Sequence, residues 1–213
     1  MPDATALDPR TLALVRLAAA VAAGDESALR LGMESVLAAK VDPAWVEELL
    51  LQSILMVGYP RALVAFGIWR QVSGTSAPPS DADADYTRLA EWEARGVKTC
   101  ATVYGDNYEK LRRNVRSLHP AVDRWMLVEG YGRTLGRPGL DLRRRELCTV
   151  AQTAVLCTHR QLHSHLRGAL HGGATFAQVE STLSAARPLV TDGEWTEIEK
   201  LWVAVRAGWS EEN

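Results

Sequence analysis

The sequence predicts an all-α protein made of two related helical units joined by a short linker. Three observations carry that prediction. Most of the 213 residues follow a helical period, since TLALVRLAAAVAA, ESALRLGMESVLAA, AWVEELLLQSILMV and RALVAFGIWRQV each return to an apolar residue at spacings of three and four. Strand-like alternation is almost absent. The chain also matches itself when slid by 133 positions: LDPRTLALVRLA falls on LDLRRRELCTVA, and Ala44, Val46, Glu47 and Leu50 fall on Ala177, Val179, Glu180 and Leu183 without a gap.

Taken in order, residues 1–72 form the first unit and hold the four apolar helical stretches. Residues 73–85, SGTSAPPSDADAD, read as the linker, because Gly, Ser, Pro and alternating Asp offer nothing to a core. The second unit, residues 86–213, resumes helical period in LAEWEARG, NYEKLRRNV and AVDRWMLVEGYGRTL. RPGLD is a turn, where Pro138 and Gly139 stop one helix and Asp141 can start the next, which runs from Leu142 to about Leu156. A further helix is expected from Thr158, with Gln161 completing a capping box, to Leu170, where Gly172 and Gly173 can supply a left-handed end. Tryptophans such as Trp195 and Trp202, and the residues around ATVYGDNYEK, read as packing.

Charge and composition exclude several functions. Twenty-four basic and twenty-six acidic residues leave a formal charge of -2 with no polybasic run, which argues against a nucleic acid partner. No apolar stretch reaches about 18 residues without a charge, and MPDATALDPR is not built like a leader, so a soluble, cytoplasmic protein without membrane association is expected. Cys100, Cys148 and Cys157 are odd in number and far apart, and read as small buried hydrophobes.

The two copies differ where chemistry could sit. Glu146 of the second faces Ala13 of the first, and His165 faces Gly32. Around His165, the stretch CTHRQLHSH packs a cysteine and three of the five histidines into nine residues. His159 and His163 could share a helix face, but His165 points about 200° away from His163, so the three cannot meet on one metal ion. A dithiol centre needs a second cysteine three residues from Cys157, where Arg160 stands instead. Acid or base work by a histidine remains, and periodicity alone does not choose among His159, His163, His165 and His171.

RGVKTCATVYGDNY, RPGLDLRRRELCTVA and QLHSHLRGALHGGATFAQVESTL together resemble the carboxymuconolactone decarboxylase family over residues 95 to about 185. VDPAWVEELLLQSILMVGYPRALVAF resembles the C-terminal part of the same fold. The related alkylhydroperoxidase D-like proteins space a glutamate and a histidine as Glu146 and His165 are spaced; on that frame their two cysteines fall on Thr158 and Gln161. The resemblance thus implies an intrachain pseudo-dimer, assembled as a homo-oligomer, that decarboxylates a lactone dicarboxylate such as 4-carboxymuconolactone without cofactor or metal, in protocatechuate degradation. It also implies roles. His165 donates the proton, Glu146 orients it and favours its charged form, and Arg137 clamps a substrate carboxylate. Tyr59, from a Gly58–Tyr59–Pro60 segment kept only in the first copy, is expected near His165. The chain departs from the family pattern in TLGRPGLD, which lacks the tryptophan before the turn, and in ARPLVTDGEWTEI, which stands where the second copy should repeat the tyrosine–proline segment. Two further readings stand beside this one: a non-catalytic scaffold, and thiol peroxidase chemistry, which Thr158 and Gln161 disfavour.

Overall fold

The computed structural model describes residues 6–212; the first five residues of MPDATALDPR, and Asn213, lie outside them. The first unit supplies α1 (Pro9–Ala23), α2 (Glu26–Ala38) and α3 (Pro43–Ser73). Short 3-10 turns lead to α4 (Leu89–Tyr104), α5 (Tyr108–Leu118) and α6 (Pro120–Trp125), which runs on into a π-helical segment, Met126–Leu135. The chain finishes with α7 (Leu142–Val155), α8 (His159–His171), α9 (Phe176–Ala186) and α10 (Asp192–Glu212). No strand occurs among the described residues, so the all-α reading holds.

The offset of 133 is written into the helix ends. α2 and α8 start and stop at corresponding positions, α1 and α3 start where α7 and α9 do, and the caps correspond as well. Asp8 and Asp141 each accept from first-turn backbone N–H groups, and Asp42 and Thr175 do the same for α3 and α9. α2 and α8 end alike: Lys40 and Gly173 both take a left-handed φ (54° and 90°), and the next N–H reaches back to Val36 and Ala169. Gly24 and Cys157 form a second such pair, with φ of 78° and 53°. One copy therefore uses glycine, at ease there, where the other holds a side chain in the same backbone.

Packing follows the same symmetry. Trp69 donates to Glu47 at 2.7 Å, and its counterpart Trp202 donates to Glu180 at 3.2 Å. α3 kinks at Gly58, and the chain also breaks at the corresponding Thr191, just before α10. ARPLVTDGEWTEI thus keeps the shape of the first copy's segment without its tyrosine and proline. α1 lies against α7 at the centre, where Arg144 donates to the Thr11 hydroxyl at 2.9 Å. These two residues are themselves 133 apart, as expected of a contact on an axis relating the copies. One apolar core runs through both units, from Leu14 and Leu17 to Leu147, Leu162, Leu166 and Ile198. A smaller cluster, Cys100, Val103, Leu127, Tyr131 and Leu135, forms between α4 and the π-helical segment. There Gly96 and Gly132 let the backbones touch, because a Cβ on either would collide with Leu127 or Trp92 main chain.

Two expectations need correction. The linker does contribute to the interior: Asp83 is buried, accepts from Trp92 and Arg95 at 2.8 Å each, and pairs with Arg137 at 3.1 Å. Its alternating aspartates act as turn caps and ion partners for later arginines, which the stretch read in isolation could not reveal. Thr158 makes no capping bond either; its N–H closes the end of α7 on Thr153, and the observed capping box is Thr175 with Gln178. By length and composition alone α3 is long and apolar enough to cross a bilayer, although it kinks at Gly58 and a third of its most apolar window is buried.

Candidate functional site

α7 is buried on every side from Arg145 to Ala154, and α8 packs along it. That packing brings two side chains 19 residues apart into contact: His165 Nδ1 lies 2.8 Å from Glu146 Oε2. Glu146 is 0% exposed and His165 6% exposed. The carboxylate's other oxygen, Oε1, has no hydrogen-bond partner among the described residues. A buried carboxylate left so bare depends heavily on the one imidazole facing it. With Nδ1–H donating to Glu146, Nε2 is the nitrogen left for chemistry.

The surroundings of the pair are apolar or phenolic. Burial pushes the Tyr104 phenol up to about 12, with the Glu146 charge adding to it, and pushes Tyr131 well above its ordinary value for the same reasons. Both stay protonated, and Tyr131 donates to Tyr104 at 3.3 Å. Gly168 clears the space beside the carboxylate: a Cβ there would stand 2.5 Å from Glu146 Oε2 and 2.8 Å from Val103.

Arg137 and Tyr59 sit elsewhere. They line a cavity of about 1,020 Å³ between α3 and the π-helical segment, with Leu51, Ile54, Phe66 and Trp125 on its apolar side. Neither Glu146 nor His165 lines it. Its arginines are already paired: Arg70 with Glu47, Arg133 with Glu129, and Arg137 with Glu48, Asp81 and Asp83. Burial would lower the Arg137 guanidinium, but Asp81 and Glu48 outweigh it and hold it above its ordinary value. Arg137 is therefore already engaged by three carboxylates of the protein. Tyr59, 63% exposed, stands on the rim of this cavity rather than at His165.

The carboxymuconolactone decarboxylase family model matches residues 3–71 and again residues 120–203, well over half of the chain. The protein belongs to this family. One match falls on each copy, and the second contains Arg137, Glu146 and His165. Residues 72–119, with the linker, α4 and α5, lie between the matches. A search of curated proteins finds no match.

Within this family member, the histidine cluster resolves into separate environments. His159 Nε2 lies 2.9 Å from Glu194 on α10, and His171 Nδ1 lies 2.8 Å from the Val103 carbonyl while its ring packs on Trp209. His163 is held below its ordinary value by burial and by Arg167. His165 alone meets a fully buried carboxylate. Among the described residues no group of three His, Cys, Asp or Glu could hold a metal ion. The thiols do not converge either: burial pushes Cys100 and Cys148 up to about 12, and Cys157 occupies the left-handed turn after α7.

Sequence reasoning missed two features. Tyr104, read as packing, and Tyr131, in a stretch read only as helical, stand beside Glu146. Arg145, 0% exposed, donates to Glu48 at 2.6 Å and to the carbonyls of Arg137 and Leu140. Its partner is 97 residues away, and no local pattern announces such a contact.

Proposed function

We propose that the protein is a cofactor-free decarboxylase of the carboxymuconolactone type, acting on a lactone dicarboxylate such as 4-carboxymuconolactone in protocatechuate degradation. The observation that supports this is the closed Glu146–His165 pair, set in a frame whose redox positions are Thr158 and Gln161. In the reaction the bond between a carboxylate and its ring carbon breaks. Carbon dioxide leaves, the electron pair spreads into the unsaturated lactone, and His165 Nε2–H delivers a proton to carbon. Glu146 holds the ring by Nδ1 and balances the imidazolium charge until the proton is delivered. Each turnover consumes one proton, so His165 must be recharged from solvent, to which it keeps slight access. A homo-oligomer in the cytoplasm belongs to the same proposal, by likeness to the family.

A second reading, a non-catalytic scaffold, draws on the engaged Arg137 and the distant Tyr59. One experiment separates the two. Turnover of 4-carboxymuconolactone should fall about 10²–10⁴-fold in His165→Ala at unchanged folding, while His159→Ala keeps near wild-type rate. Equal losses from both substitutions, at matched stability, would favour the scaffold.

A further inference from the structure

α3 carries more apolar surface than its packing uses. Only a third of its most apolar window is buried. Leu51, Ile54, Leu55 and Phe66 line the cavity of about 1,020 Å³. The repeat supplies an internal comparison for this face. At the offset of 133, Leu51, Ile54, Tyr59 and Phe66 fall on Ser184, Arg187, Asp192 and Glu199, none of them buried. α3 and its counterpart follow the same path, kinking at Gly58 and breaking at Thr191, so the helices themselves do not require apolar residues at these positions. The difference lies in what stands opposite. The first copy turns its apolar face to a gap that its own side chains leave unfilled, whereas Ser184, Asp192 and Glu199 are exposed to solvent. Apolar surface held in such a concavity favours an apolar guest.

The same wall disfavours a charged one. Each of the three arginines lining the cavity already holds a carboxylate of the protein. Arg95 and Arg145, outside the lining, also pair with the lining acids Asp83 and Glu48. An anion would have to break one of these pairs to gain a partner, and it would leave water to do so. Three aromatic side chains, Tyr59, Tyr86 and Trp125, line the cavity while remaining 63%, 61% and 65% exposed. Rings so placed offer flat apolar faces to a planar guest. The volume is that of pockets that take drug-sized molecules.

We infer that this cavity binds an uncharged, ring-bearing apolar molecule, held between the α3 face and the aromatic rim. Neither Glu146 nor His165 lines it, so the inference stands apart from the decarboxylase reading, whose charged substrate this wall would refuse. Ala77, Pro78 and Tyr86, which also line the cavity, belong to residues 72–119, outside the stretches that the family model matches.

The test is a matched pair of fluorescent probes titrated into the full chain. N-phenyl-1-naphthylamine is uncharged and brightens on leaving water; 1-anilinonaphthalene-8-sulfonate is the same skeleton with a sulfonate added. The uncharged probe should bind saturably, about tenfold or more tightly than the sulfonate, because burying an ion without a partner is costly. Tyr59→Ala, at an exposed position, should weaken the uncharged probe about three- to tenfold, the usual worth of an aromatic contact. Leu55→Lys, at a lining position 39% exposed, places a free cation in the wall and should reverse the preference toward the sulfonate. Circular dichroism checks that both variants fold. Should Leu55→Lys not fold, Leu51→Ser, which matches Ser184 of the second copy, takes its place and should weaken the uncharged probe. Absence of saturable binding, equal or tighter binding of the sulfonate by the wild type, or indifference of the uncharged probe to the substitutions would overturn the inference. So would probe binding that is lost as the protein self-associates, followed by light scattering over the same concentrations, since the apolar face would then belong to a second copy.

Discussion

Glu48→Gln tests the buried ion network that joins the two copies. Glu48, 7% exposed on α3, receives Arg145 at 2.6 Å and Arg137 at 2.9 Å. Arg137 would keep Asp81 and Asp83 after the substitution, but Arg145 would keep only carbonyls and Gln52, with no anion. Burial already pulls the Arg145 guanidinium below its ordinary value, and Glu48 is what holds it up. Removing one partner of a buried pair costs about 3–5 kcal/mol, because the other is left as an uncompensated charge. At about 2–4 °C per kcal/mol for a chain of this size, the melting temperature should fall by roughly 6–20 °C. Thermal unfolding followed by circular dichroism measures it, and the double variant Glu48→Leu/Arg145→Met should recover much of the loss. A fall of under about 2 °C for Glu48→Gln, on the same scale, would show that the network carries no such energy and refute the reasoning.

Other outcomes follow from the same geometry. Cys100 and Cys148, with thiols near 12, are ionised to only about one part in 10⁴ at pH 8, so a thiol reagent should modify Cys157 alone in the native protein and all three cysteines after unfolding. Two or three fast-reacting thiols in the native chain would contradict the burial described, and loss of turnover on replacing all three would revive thiol chemistry. Gly168→Ala pushes a methyl against Glu146 and should destabilise by about 1–3 kcal/mol. It should also slow decarboxylation more than it raises KM, because the displaced carboxylate no longer holds His165; unchanged kcat in a folded variant would count against the role given to Glu146.

Much of the helical layout was legible because apolar period and repeat carry it. The expected helix from Leu142 to about Leu156 ends at Val155, and the left-handed Gly173 closes α8 as foreseen. The Glu146–His165 contact was legible for a different reason: a spacing of 19 spans two packed helices, so a family frame could supply it. Arg137 misled because an arginine in a turn looks solvated, whereas its three carboxylate partners come from α3 and the linker. Thr158 misled because the residue that opens α8 also closes α7, and its N–H is committed to the earlier helix. The tyrosines gave no signal, since their significance lies in which helices meet and not in any local spacing.

The placement of α1 has a consequence for the history of the chain. Ten of its fifteen residues are buried, and it touches α2, α3, α7 and α9, so the copy without the glutamate and histidine forms much of the ground on which the other copy stands. Although Ala13 and Gly32 stand in one half where the other has Glu146 and His165, that half cannot be discarded as redundant, because deleting it would strip the face of α7 that α1 covers. Duplication here works as a ratchet: the half without the pair is bound to persist in its shape, whatever its own chemistry.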